Sequence, residues 1–150
     1  MRESEKGIRL DLIEKARAAA SKAYAPYSGY RVGSALSCVG DGQLFTGCNV
    51  ENASYGVSLC AERAAAVAAV SAGRRDFEIL AVYAEGPELP FPCGACRQFL
   101  SEFNRELMII VSNGNDVESF ILSDLLPHTF GGDHIQGRAT APPLRRGGEH

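Results

Sequence analysis

The sequence predicts an α/β fold: a three-layer α/β/α arrangement around a mixed, roughly five-stranded sheet. Two observations predict it. Helical and strand periodicities alternate along the chain in the order helix, hairpin, helix, strand, helix, strand, strand, which puts helices on the faces of a mixed sheet. The segment from Leu59 is rich in small residues, which suits a helix packed closely on that sheet.

The elements follow in order. Ile8, Leu12, Ile13, Ala16, Ala19 and Ala20 recur at helical spacing and predict a helix over 8–24. Ala25-Pro26-Tyr27-Ser28-Gly29 breaks it. Tyr30–Val39 reads as a strand, Gly40-Asp41-Gly42 as a turn, and Gln43–Cys48 as the returning strand of a hairpin. Residues 49–58 form a polar loop. The alanine-rich helix runs from Leu59 and stops at Gly73. Glu78–Glu85 is a short apolar strand, Pro87, Pro90 and Pro92 mark a loop, and Cys93 to Phe103 is the next helix. Leu107–Val111 and Glu118–Leu122 are the last strands. Ser123 is placed to cap a short helix that Pro127 ends.

With 150 residues the chain fits one domain, taken as 1–136, with an Arg-, Pro- and Gly-rich tail over 137–150 expected to be disordered. A net charge of −3 gives no basic excess to capture a nucleic acid polymer, so a small ligand is the expected partner. No apolar run approaches the ~20 residues that span a bilayer. Met1–Arg9 lacks an apolar signal core, so the expected location is the cytoplasm, where thiols stay reduced. The odd count of 5 cysteines argues against a complete disulfide framework.

Three of those cysteines carry the chemistry. Cys60-Ala61-Glu62 is followed by Pro92-Cys93-Gly94-Ala95-Cys96. Three thiolates on one Zn²⁺ leave a fourth tetrahedral position open for water, as in a catalytic site. Cys93 and Cys96, at i and i+3 on a first helical turn, face one side, where free N–H groups and the helix dipole favour thiolates. Residues two apart in a helix point about 200° apart. Cys60 and Glu62 can therefore share a site only if Cys60 sits at the helix cap.

Glu62, not itself a ligand, is then placed to take a proton from the water and deliver it to a substrate ring and a leaving amine. Three thiolates leave the zinc formally negative, and Arg63 is the candidate to offset that charge by donating to a ligand sulfur. The plain alternatives are an exposed helix Glu62 and a surface Arg63. A redox Cys-x-x-Cys pair would leave Cys60 and Glu62 unexplained. A structural zinc with Cys48 as fourth ligand would have no open position. Cys38 and Cys48 otherwise read as small buried apolar residues. His128, His134 and His150 lack ligand spacing.

A second group is Asn49 and Glu51. Two apart in an extended stretch, they share a face. An amide and a carboxylate suit a sugar's vicinal hydroxyls, and the carboxylate would repel a phosphate.

With these residues in place, the chain resembles the small homotetrameric zinc-dependent cytidine deaminases. The match runs from Ala23-Tyr24-Ala25-Pro26-Tyr27-Ser28 to Leu125-Leu126-Pro127-His128-Thr129-Phe130. It takes in Asn49-Val50-Glu51-Asn52-Ala53-Ser54-Tyr55, Cys60-Ala61-Glu62-Arg63 and Pro92-Cys93-Gly94-Ala95-Cys96-Arg97-Gln98. The resemblance implies hydrolysis of cytidine and 2′-deoxycytidine to uridine and 2′-deoxyuridine plus ammonia. It implies one zinc per chain on Cys60, Cys93 and Cys96, Glu62 as proton shuttle, and Asn49 and Glu51 on the ribose. Tyr30 matches a position near the base where the family usually has Phe. Phe130 matches an aromatic that reaches a neighbouring subunit's site and stacks on the base. A single zinc motif implies the short tetrameric type. Within the superfamily the alternative is a blasticidin-type aminonucleoside deaminase; outside it, a zinc-stabilised binding module.

Overall fold

The computed structural model describes residues 2–135, so the expected tail over 137–150 lies outside the described residues. Among these, α1 (Glu3–Ala20), β1 (Gly33–Cys38), β2 (Leu44–Cys48), α2 (Ala61–Ser71), β3 (Phe77–Tyr83), α3 (Gly94–Ser101), β4 (Met108–Ser112), β5 (Val117–Ile121) and α4 (Leu122–Leu125) follow in order. The five strands form one sheet in the order β2-β1-β3-β4-β5. Only β3 and β4 pair in parallel; the other neighbours are antiparallel. The predicted mixed α/β sheet is therefore present.

Strand alternation divides the core into two layers. Leu36, Leu80, Val82, Ile109 and Val111 point to the side of Ala65, Ala66, Ala69 on α2 and Leu100 on α3. Ala35, Ala81, Tyr83 and Ile110 point to Leu12, Ala16 and Ala20 on α1. Two glycines set how closely the helices lie. A Cβ on Gly33 would collide with the α1 backbone at Ala16 and Ala20, and one on Gly47 would collide with α2 at Ala61, Ala64 and Ala65. The alanines of α2 thus serve close approach to β2 within the chain.

This topology puts three chain segments at one sheet edge. β1 runs opposite to both neighbours, so its entry meets the exits of β2 and β3; Gly33 pairs with Cys48 on one side and Tyr83 on the other. The chain leaving β2 leads to the N-terminus of α2, and the chain leaving β3 leads to the N-terminus of α3.

Several element boundaries shift by a residue or two from the sequence reading, and four differences have a clear physical cause. α1 starts at Glu3, because Glu3 and Glu5 suit the positive helix end though they add nothing to the apolar pattern. It ends at Ala20, because Tyr24 is drawn into a bridge with Val50, its N–H donating to the Asn49 carbonyl at 3.0 Å. β1 begins at Gly33, not Tyr30: the Asn49 side chain takes up the Tyr30 carbonyl and the Val32 N–H, the Ser28 hydroxyl takes the Tyr30 N–H, and only the Val32 carbonyl keeps a backbone partner, the Asn49 N–H at 3.2 Å. Ser123 lies inside α4, whose cap is Ile121. The ladder leads straight into the helix there, with the Leu122 N–H still bonded to the Leu107 carbonyl at 2.9 Å.

Candidate metal centre and active site

Cys60 is the N-cap of α2, with extended backbone at φ −74°, ψ 153°, and Cys93 is the N-cap of α3 at φ −68°, ψ 167°. Cys96 lies buried in the first turn of α3. The three Sγ atoms all lie within 4.8 Å of one another. Cys60 Sγ and Cys93 Sγ are 3.8 Å apart. Two thiolates on a tetrahedral zinc, each at about 2.3 Å, stand roughly 3.8 Å apart. The donor set therefore fits a zinc ion. Cys48 stays in β2, outside this group, which removes the four-cysteine arrangement among the described residues.

The thiols are unequal. Contact with Cys96 is the largest influence holding Cys60 down at about 5, with Arg63 and Cys93 adding and burial opposing. The Arg63 guanidinium donates to Cys60 Sγ at 3.6 Å. Cys96 is pushed up, by its contact with Cys60 first, then by burial and the Glu62 charge. A cation among the three would relieve that penalty and release the proton. Among the described residues the buried Arg63 Nε has no partner.

Glu62 is 4 % exposed, in the same first turn that Cys60 caps. Burial pushes its carboxyl above the usual range, and the Cys60 charge adds to this. The cap geometry answers the 200° problem: the extended backbone at Cys60 lets its sulfur and the Glu62 carboxylate converge. Burial, and after it the Glu62 charge, pushes the Tyr30 hydroxyl pKa up.

Asn49 and Glu51 flank Val50, which exchanges both backbone hydrogen bonds with Leu59 at 2.9 Å, one residue before Cys60. Both side chains reach the 27–32 segment, as a shared face requires. Asn49 Nδ2 donates to the Tyr30 carbonyl at 2.8 Å and Oδ1 accepts from Val32 N–H at 2.9 Å. Glu51 accepts from the N–H groups of Tyr27 at 3.0 Å and Ser28 at 3.1 Å, and from the Ser28 hydroxyl at 2.5 Å. These bonds, the Ser28 hydroxyl first, hold its carboxyl below the usual range.

Phe130 is 60 % exposed and stacks on His134. Its carbonyl accepts from Gln98 Nε2 at 2.7 Å, which ties it to the helix carrying Cys96. Arg97 fastens the same helix to the Pro92 and Leu125 carbonyls at 2.8 and 2.9 Å. Sequence spacing marks neither Gln98 nor Arg97 beyond their place after Cys96. It marks Ser28 only as part of a helix-breaking turn.

Residues 8–112 match the family described as the cytidine and deoxycytidylate deaminase zinc-binding region. The chain belongs to the cytidine deaminase family. It is 43 % identical over 121 residues to a cytidine deaminase of Sporosarcina psychrophila, covering 79 % of this chain and 88 % of that protein. It is 44 % identical over 117 residues to one from Mycobacterium tuberculosis (strain CDC 1551 / Oshkosh), covering 78 % and 85 %. A solved cytidine deaminase from Burkholderia pseudomallei superposes with a TM-score of 0.77 at 48 % identity, covering 81 % of this chain and 98 % of that one. The chain is thus an enzyme of the zinc-dependent cytidine deaminase family, and Cys60, Cys93 and Cys96 are positioned to bind its metal ion.

Proposed function

We propose that this cytidine deaminase-family enzyme hydrolyses cytidine and 2′-deoxycytidine to uridine and 2′-deoxyuridine, releasing ammonia, as a step in pyrimidine salvage in the cytoplasm. One observation carries the reading: the buried carboxylate of Glu62 sits in the first turn of the helix that Cys60 caps, beside three sulfurs that fit a zinc ion.

When bound, one zinc per chain supplies Lewis acidity that makes water nucleophilic near neutral pH. The protein's own residues do the rest. Glu62 takes one proton from the attacking water and passes it to the pyrimidine ring nitrogen beside the reacting carbon. It then moves the second proton to the amine, which leaves as ammonia. One C–O bond forms, one C–N bond breaks, and the carboxylate ends as it began. Burial suits Glu62 to this, because a raised pKa makes it a better proton acceptor than a solvated carboxylate. Arg63 offsets the thiolate charge through Cys60.

Asn49 and Glu51 bind the sugar, and Tyr30 packs near the base. Phe130 completes the base site of a neighbouring subunit in a homotetramer. The exposure of Tyr24, Tyr27, Tyr30, Val50, Tyr55 and Val57 supports an assembly that covers this edge, since exposed apolar patches mark interaction surfaces. The test is the loss of cytidine absorbance on adding the purified protein, abolished by a zinc chelator and restored by zinc. Zinc-loaded protein that leaves cytidine intact would sink the reading.

A further inference from the structure

We infer that Ser28 is the positioning residue of the sugar site, aiming the Glu51 carboxylate. The inference rests on the proposed role of Glu51 and adds to it a residue whose side chain has no part in the zinc cluster.

A carboxylate offers about four acceptor sites. Three on Glu51 are filled: Oε1 by the N–H groups of Tyr27 and Ser28, and one site on Oε2 by the Ser28 hydroxyl. Among the described residues, one acceptor on Oε2 remains. The Asn49 amide is similarly committed, with Oδ1 on Val32 N–H and one Nδ2 hydrogen on the Tyr30 carbonyl, which leaves one N–H donor. A free donor and a free acceptor on a shared face match a single hydroxyl, which can accept from Asn49 and donate to Glu51.

Ser28 is committed internally. Its O–H donates to Glu51, and its oxygen accepts from Tyr30 N–H at 3.0 Å. Tyr30 is thus gripped at its N–H by Ser28 and at its carbonyl by Asn49. One hydroxyl joins the group that would accept a sugar hydroxyl to the backbone of Tyr30. Without it, Oε2 loses its neighbour and the carboxylate can turn about its remaining bonds.

The test uses zinc-loaded full-length enzyme with cytidine and 3′-deoxycytidine. Hydrogen bonds to charged groups are strong enough that Ser28→Ala should raise KM for cytidine roughly tenfold, with kcat nearly unchanged. KM for 3′-deoxycytidine should move less than about twofold, since the bond that Ser28 aims is absent there. Ser28→Thr should restore the cytidine value. In a Glu51→Gln background, Ser28→Ala should add little, because residues acting through one contact are not additive. If Glu51→Gln discriminates the two substrates but Ser28→Ala does not, the Ser28 inference fails and the Glu51 reading stands. If Glu51→Gln shows no discrimination, both fail. Equal losses on both substrates from Ser28→Ala, without rescue by Thr, would reduce Ser28 to a structural turn residue and overturn the inference.

Discussion

Cys60 Sγ and Cys93 Sγ lie 3.8 Å apart although 33 residues separate them, and each is the cap of its own helix. The sheet makes this meeting possible. β2 and β3 flank the oppositely running β1, so their exits lie at one edge and both following helices begin there. Gly47 lets α2 lie close on β2, which sets the height of Cys60 above that edge.

Replacing any one of Cys60, Cys93 or Cys96 with Ala should remove most of the bound zinc, because a methyl group cannot ligate it. Activity should go with it, and thermal stability should fall, since metal binding and folding are coupled. Cys48→Ala should keep its zinc, because Cys48 lies in β2, outside the cluster. Elemental analysis of each purified variant checks this. Zinc loss in Cys48→Ala would contradict the three-ligand site.

Glu51→Gln should raise KM for cytidine by about ten- to a hundredfold and leave 3′-deoxycytidine little changed, as expected for losing a hydroxyl-to-carboxylate bond. The 5′-monophosphate should be a poor substrate of the parent enzyme, through repulsion by this carboxylate. Steady-state kinetics with the three compounds tests it; turnover of the monophosphate at the cytidine rate would contradict the placement.

Phe130→Ala should raise KM by a few-fold, in line with the ~0.5–1.5 kcal/mol of an aromatic contact, while zinc stays bound. Light scattering should give the mass of a tetramer. A fully active monomer at assay dilution would rule out a site shared between subunits.

Away from the site, Arg74 joins the ends of β1 and β3. Its guanidinium bonds Asp76 through Nε at 3.0 Å and a second nitrogen at 2.9 Å, and also reaches Asp41 and the Val39 carbonyl. Arg74 is the largest cause holding the Asp76 carboxyl below its usual 3.8. A depressed folded pKa means the unfolded chain binds more protons in acid. The stabilisation is therefore present above the ordinary Asp value and is lost as pH falls through the folded one. Arg74→Ala should cost about 2 kcal/mol near pH 7, and the deficit should shrink below pH ~4. Urea unfolding of both proteins across this range checks the sign; a deficit that grows in acid would contradict it.

Much of this was legible in sequence, for local reasons. The ligands sit in two short motifs, each at a helix start, so the angle between Cys60 and Glu62 alone required a cap. The alternation of elements carried the mixed sheet. What stayed hidden depends on side chains that replace backbone partners. Tyr30–Val32 looks like strand, but its Tyr30 carbonyl and Val32 N–H bond the side-chain amide of Asn49. Ser28 looks like turn, but its hydroxyl serves a carboxylate 23 residues on. The alanines of α2 also suit contact with another subunit. In the chain, Ala61, Ala65, Ala66 and Ala69 are buried within the fold, while Val67 on the same helix stays exposed.

In the proposed mechanism Glu62 moves the protons and does not hold the metal. Glu62→Gln keeps the shape of the side chain and removes the acceptor. Zinc content and cytidine turnover should be measured on one preparation of this variant. Zinc should stay at the parental level while kcat falls at or above the ~10²–10⁴-fold typical of a general acid–base group, since one residue serves several transfers. Near-parental turnover, or loss of the zinc along with the activity, would contradict it.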